Sequence, residues 1–383
     1  MQWCLWSGLH VTYKKLNTMT HSLFSPLTLR DVTLANRLVV SPMCQYSAVN
    51  GCAGDWHTIH LGSMLTSGAG LFILEATAVE ARGRITPECL GLWSDENADA
   101  LGAVLKAVRQ FSTMPVGVQL SHAGRKAASH RPFVGKGPLL AHEGAWPVIG
   151  PSPVPFAEGW QTPKEMTQED MAEVIQAFVE ATQRADRIGI DLIELHAAHG
   201  YLLSAFLSPL ANKRSDQYGG SIENRMRFPL EVFKAIRQVW PAHKPLGVRC
   251  NGTDWHEQGL NLDDAVMFAK ALKALGCDFI DVSSGGNAYV KVPVGPGYQV
   301  PFATRIKAEA DICTIAVGLI NDPLQAEAII VQGEADLVAV GRAVLHNPHW
   351  PWHAAEVLNG TVEVPWQYYR AATKKGIPPP YVR

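Results

Sequence analysis

Eight short runs rich in β-branched residues recur along this chain, each followed by a helical pattern. They are RLVVSPM (37–43), LFILEATAV (71–79), PVGVQLSH (115–122), DLIELHAAH (191–199), PLGVRC (245–250), DFIDVSSG (278–285), TIAVGLI (314–320) and DLVAVGRAVL (336–345). The runs are almost continuously apolar rather than alternating, as expected of parallel strands buried on both faces. The segments between them carry helix signals. Thr167 with Asp170 predicts a capping box ahead of Met171, Val174, Ile175 and Phe178 at helical spacing. Asp322–Pro323 predicts an N-cap with proline at the first helical position, and the amphipathic stretch 263–275 stops at Gly276. Eight strand–helix alternations predict α/β class and a single (β/α)8 barrel. An open doubly wound sheet is the competing arrangement, and it loses ground because no GxGxxG follows the first strand.

At 383 residues the chain could form two domains, but a barrel with insertions also reaches this length. A formal net charge of −2 gives no case for nucleic acid or an acidic membrane as partner, and no apolar run is long enough to cross a bilayer. Seven cysteines without a CxxC pair point to reduced thiols and a cytoplasmic address. The opening MQWCLWSGLHVTYKKLNTMTH makes a poor signal peptide and is expected to be a disordered or non-native extension over residues 1–22.

Barrel active sites lie at the C-terminal ends of the strands. Polar residues collect there in this sequence: Cys44, Gln119, His122, His196, His199, Arg249, Ser283 and Arg342. The connection from Ala123 to about Lys164 holds seven prolines with Trp146, Phe156 and Trp160, and is expected to be a loop excursion capping the site after the third strand. The string ELHAAHGY (194–201) leaves three readings open. His196 and His199 could bind a metal with Glu194, although the spacing differs from HExxH. They could be a satisfied core pair. Or they could be two donors aimed at a carbonyl oxygen, with Tyr201 as an acid beside them.

The stretch HAAHGYLLSAFLSPLANKRSDQYGGSIENRMRF (196–228) closely resembles the signature of the Old Yellow Enzyme family of FMN-dependent ene-reductases. Further blocks match in family order: SPMCQYS (41–47), ILEATAV (73–79), VQLSHAGRKA (118–127), VRC (248–250), AVGLI (316–320) and AVGRAVLHNP (339–348). The cysteine and tyrosine of SPMCQY resemble the bacterial xenobiotic-reductase-like subgroup. The resemblance runs from about Leu23 to Arg370, so an FMN-binding barrel is expected over 23–370 and a tail over 371–383. Another FMN-dependent barrel, or a metal-dependent barrel hydrolase using His196 and His199, is the alternative.

The resemblance implies non-covalent FMN, with NADPH or NADH as a visiting reductant in ping-pong turnover and no metal. It implies that Ser41, Pro42, Met43 and Cys44 line the ring and that small Ala76 lets it lie flat. Gln119 would bond the pyrimidine edge, and Arg249 would stabilise the anionic reduced flavin near N1 and O2. Phosphate would rest on backbone around Gly318, Gly341 and Arg342. His196 and His199 would bind the substrate's carbonyl or nitro oxygen and Tyr201 would donate a proton to the α-carbon. Its ordinary pKa of about 10 keeps it protonated. Tyr46 and Cys44 would touch substrate. Arg370 in VPWQYYR would reach a neighbouring subunit's site, implying a homodimer or homotetramer. After Arg249 the chain reads CNGTDWHEQG, which matches no family block, and Val317 stands where some xenobiotic reductases carry tryptophan.

Overall fold

The computed structural model describes residues 22–372; all but residue 22 of the extension expected over 1–22, and all but residues 371–372 of the tail expected over 371–383, lie outside the described residues. Eight parallel strands close into a barrel: β1 (Leu38–Val40), β2 (Leu71–Ala78), β3 (Val116–Ser121), β4 (Leu192–Ala197), β5 (Leu246–Asn251), β6 (Phe279–Ser283), β7 (Cys313–Ala316) and β8 (Leu337–Val340), with β8 pairing back onto β1. Six fall within the apolar runs, while β5 runs one residue past its run, to Asn251, and β7 starts one residue before its run, at Cys313. Eight main helices surround them: α1 (Asp55–Leu65), α2 (Asp95–Val108), α3 (Gln168–Arg187), α4 (Arg227–Val239), α5 (Leu262–Ala274), α6 (Val300–Ala310), α7 (Pro323–Val331) and α8 (Trp350–Leu358). The expected caps form. Thr167 Oγ1 accepts from the Asp170 amide while Asp170 returns a bond to the Thr167 amide, and Asp322 accepts from Leu324 ahead of Pro323.

The barrel interior is layered. Its lower end is apolar: Val39, Leu71, Ile73, Leu192, Phe279, Ile315 and Leu337 pack together, floored by Leu29 and Leu34 of an antiparallel hairpin, Leu27–Leu29 with Val32–Leu34. Gly247 makes room for one large ring here. A Cβ at that position would lie 2.3 Å from Phe279 Cζ. Because side chains alternate along a strand, the next inward position lies two residues on, toward the C-terminal end. That step replaces Leu192 by Glu194 and Phe279 by Asp281, and a further step reaches His196 and Ser283. Leu23, where the described chain starts inward, is buried and its amide donates to Glu327 Oε2 at 2.6 Å.

The connection after β3 contains short helical turns at Gly124–Lys126 and Ala141–Glu143 and a parallel pairing of Ile149–Gly150 with Lys164–Glu165. Its Ala123, Ala127, Ala128 and Val148 pack as a small cluster against which Trp146 and Tyr201 rest.

Candidate active site

The strand ends bring most of the expected residues together. The turn after β4 carries the densest chemistry. His196 and His199 lie with ring centroids 5.1 Å apart at 82°, and His196 and Tyr201 lie 5.1 Å apart at 76°. This compact turn depends on Gly200, at φ +74°, where a Cβ would sit 2.0 Å from the Gly286 carbonyl oxygen. His199 is itself left-handed, at φ +60°, a backbone state uncommon for a residue with a side chain. Its amide donates to Asn251 Oδ1 at 3.2 Å.

The hydrogen bonds set which ring nitrogens carry protons. His196 Nδ1 accepts from the Ala198 amide at 3.3 Å, so its proton sits on Nε2. His199 Nε2 lies 2.7 Å from Ser283 Oγ. Ser283 has a second acceptor, Gln299 Oε1 at 3.4 Å, but that oxygen already accepts from Ser284 Oγ at 2.5 Å. The contact to His199 is the shorter of the two, so we assign the Ser283 proton to His199 Nε2, which leaves the His199 proton on Nδ1. Burial first, then the Arg249 charge, holds both imidazoles well below their ordinary pKa, so both are neutral. Tyr201 departs from the expectation of an unperturbed phenol. Burial, then Cys44 and Tyr46, raises it well above its usual value, which keeps its proton more firmly.

The loop after β1 forms the opposite wall. Tyr46 adopts φ +51° and faces Phe133 of the excursion, centroids 6.2 Å apart. Glu75 anchors this loop, its Oε2 accepting from the Gln45 amide at 2.9 Å and its Oε1 3.5 Å from His57 Nε2. Burial, then Cys89 and Glu75, pushes the Cys44 thiol well up, so it is a neutral thiol and no nucleophile. Gln119 Nε2 donates to Glu194 Oε1 at 2.6 Å, and Arg249 Nε lies 3.2 Å from Asp281 Oδ2. Gly341 precedes a short helix, Arg342–His346, and a Cβ there would lie 3.5 Å from Met43 Sδ. Gly318, at φ +134°, packs against the Tyr298 ring.

These residues suit a flavin. Small Ala76 and Gly341 leave the cleft wall low, Ser41 Oγ is buried without a partner, and Arg249 Nε makes no hydrogen bond. A family model described as NADH:flavin oxidoreductase / NADH oxidase matches residues 22–360. The chain belongs to this family, that of Old Yellow Enzyme. An "NADPH dehydrogenase" of Geobacillus sp. (strain WCH70) is 48% identical over 354 residues, covering 92% of this chain and 99% of that protein. One from Bacillus licheniformis is 46% identical over 351 residues, 91% and 98% of the two chains. A solved structure of morphinone reductase superposes with TM-score 0.75 at 26% identity over 95% of both chains. Membership makes this chain an FMN-dependent nicotinamide-nucleotide oxidoreductase.

Several residues of this family member were not foreseen in its sequence. Lys126 Nζ donates to the carbonyls of His199 at 2.7 Å and Gly286 at 3.1 Å, and lies 4.5 Å from the Phe156 ring and 5.1 Å from that of Tyr201. Burial, then Arg125, pulls its pKa down to about 7. Asp254 is a fully buried hub that accepts from Ser208, Asn251, Asn287 and the Leu260 amide. Lys126 stood in a matched block without an assigned task, and Asp254 stood in CNGTDWHEQG, where no block matched. The metal reading of Glu194 gains no partner, because Glu194 engages Gln119, and no three ligating side chains converge among the described residues. Arg370 lies in the terminal turn Tyr369–Ala372 with an exposed side chain.

Proposed function

We propose that this protein is an ene-reductase, reducing the C=C bond of α,β-unsaturated carbonyl or nitro compounds with NADPH or NADH as reductant. The observation that carries the reading is the turn after β4, where the His196 ring lies 5.1 Å from those of both His199 and Tyr201; burial keeps both imidazoles neutral and the phenol protonated. FMN, when bound, supplies the hydride. His196 Nε2–H and His199 Nδ1–H bind the substrate oxygen and stabilise the negative charge that develops there, as preorganised donors in a water-poor site do. Tyr201 donates its proton to the α-carbon.

Cys44 and Tyr46 border the substrate, and Ser41, Pro42, Met43 and Ala76 border the flavin ring. Gln119 and Arg249 serve the pyrimidine edge, and backbone at Gly318, Gly341 and Arg342 serves the phosphate. The excursion from Ala123 caps the site through Phe133 and Phe156. NADPH is favoured by the name its relatives share. We place the enzyme in the cytoplasm, in keeping with the free thiols of Cys44, Cys52, Cys89, Cys250, Cys277 and Cys313, and as a homodimer or homotetramer in which Arg370 reaches the neighbouring site. No helix among the described residues is long and apolar enough to cross a membrane.

An anaerobic titration tests the reading. The yellow protein should bleach with a little NADPH and recolour on 2-cyclohexenone. Bleaching that enones cannot reverse would refute the substrate class.

A further inference from the structure

Directly beneath the chemistry, the barrel holds a layer of charge. Strand register places Gln119 beside Glu194 and Arg249 beside Asp281, and all four side chains are buried. Counted as an ordinary ionised layer, two carboxylates and one guanidinium leave a net charge of −1. That arrangement does not satisfy its own atoms. Glu194 Oε2 and both Asp281 oxygens are buried without a hydrogen-bond partner. Yet the Glu194 and Asp281 carboxyls lie within hydrogen-bonding reach of each other. Two carboxylates brought that close cannot both stay ionised away from water, and buried polar atoms require partners.

One proton resolves both difficulties. On Glu194 Oε2 it donates to an Asp281 oxygen, while Glu194 Oε1 goes on accepting from Gln119 Nε2 at 2.6 Å. The second Asp281 oxygen, Oδ2, faces Arg249 Nε at 3.2 Å. We propose that Glu194 and Asp281 hold a single shared proton, resident on Glu194, and that this neutral acid and its anionic partner position Gln119 and Arg249 together beneath the flavin. The residency follows from the neighbours. Asp281 has the guanidinium beside it, which favours its ionised form. Burial and the Asp281 charge raise the Glu194 carboxyl, although Arg249 and Gln119 oppose that rise; burial raises Asp281 too, but there Arg249 and the bond from Glu194 both favour the ionised form. His196 is the next inward titratable group on the same strand and is neutral, so it adds no charge to the layer.

The consequence for the cofactor is electrostatic. With the proton in place the layer is neutral: Arg249 is +1, Asp281 is −1 and Glu194 is zero. Were Glu194 ionised, an uncompensated negative charge would lie below the pyrimidine, where reduction adds negative charge, and the reduced state would be disfavoured. Glu194 and Asp281 are positioning residues that act through Gln119 and Arg249. This inference rests on the flavin placement proposed above.

The test has one readout without flavin and one with it. Infrared spectra of the apoprotein carrying 13C-labelled glutamate should contain a protonated-carboxyl band at neutral pH that Glu194→Gln abolishes. In the holoenzyme, Glu194→Gln replaces a neutral group by a neutral one and should leave the flavin midpoint potential in place. In Asp281→Asn the charge that holds the proton on Glu194 is gone, so Glu194 should ionise against Arg249 and its band should vanish. The double variant Glu194→Gln/Asp281→Asn leaves Arg249 with no carboxylate to compensate it and should raise the potential. The absence of the Glu194 band in the wild type overturns the shared proton, as does a Glu194→Gln potential shift as large as that of the double variant. A wild-type band accompanied by no potential shift in the double variant overturns the link to the flavin. If the double variant does not fold, the band in the wild type and its loss in each single variant still decide the matter. None of these readouts uses an enone, so failure of the substrate proposal registers separately.

Discussion

Removing one hydroxyl should change how His199 presents itself to a ligand. Ser283 Oγ lies 2.7 Å from His199 Nε2 and is 5% exposed, and its donated proton is what keeps the imidazole proton on Nδ1. A buried neutral hydrogen bond of this kind is worth a net of about 1 kcal/mol. In Ser283→Ala that bias disappears, and His199 is free to carry its proton on Nε2, where no substrate donor results. With about 1.4 kcal/mol per factor of ten, losing about 1 kcal/mol weakens the competent tautomer roughly fivefold against its rival. Affinity for a para-substituted phenol, read from the flavin absorbance, should fall by up to about that factor. His196 provides an internal control, since its Nδ1 accepts from the Ala198 amide and does not involve Ser283. Nitrogen-15 spectra of histidine-labelled protein should show His199 redistributing between tautomers while His196 stays as it is. An unchanged His199 tautomer together with unchanged phenol affinity would refute the assignment.

Three further outcomes follow from the same geometry. Tyr201→Phe should slow enone-dependent reoxidation by about 10²–10⁴-fold, the usual contribution of a positioned acid, and leave reduction by NADPH much less affected in stopped-flow traces. Gly200→Ala puts a methyl 2.0 Å from the Gly286 carbonyl in a left-handed backbone. It should cost at least about 2 kcal/mol in urea unfolding, and a loss below about 0.5 kcal/mol would show that the two turns separate easily. Glu80 is the acid-stability prediction. Burial works against its charge, but the bond to His122 at 2.6 Å and that from Arg82 at 2.7 Å hold its carboxyl down at about 2. A depressed carboxyl stabilises the fold above the unfolded value near 4.5 and loses that contribution as pH falls from there toward 2. Glu80→Gln should flatten this part of the urea-stability profile, and identical wild-type and variant slopes between pH 4.5 and 2 would count against it.

The barrel was legible because a strand buried on both faces must be apolar nearly throughout, and eight such runs leave few ways to pair. The reactive turn was legible for a different reason: His196, His199, Gly200 and Tyr201 are neighbours in the chain, so spacing alone keeps them together. What stayed hidden depends on distance through space between residues far apart in sequence. Glu194 meets Gln119, 75 positions away, and could be read from its string only as a possible metal ligand. Asp281 looks like a single charge inside an apolar strand. The methyl-free approach of Gly200 to Gly286, and the lysine that ties their turns together, likewise exist only once β4 and β6 are closed into one barrel.

The layering explains why a single strand can serve stability and chemistry at once. Along β4, Leu192 fills the apolar floor, Glu194 enters the charged layer and His196 reaches the cleft, each two residues above the last. β6 repeats the sequence of environments with Phe279, Asp281 and Ser283. Because the period is fixed at two, a one-residue slip in either strand would turn its whole set of inward residues outward. Ser283 would then leave His199, and Asp281 would leave Arg249, in the same movement. The large Phe279 ring seated over Gly247 opposes that slip, since its space exists at only one register. The packing at the floor therefore holds the proton positions at the cleft.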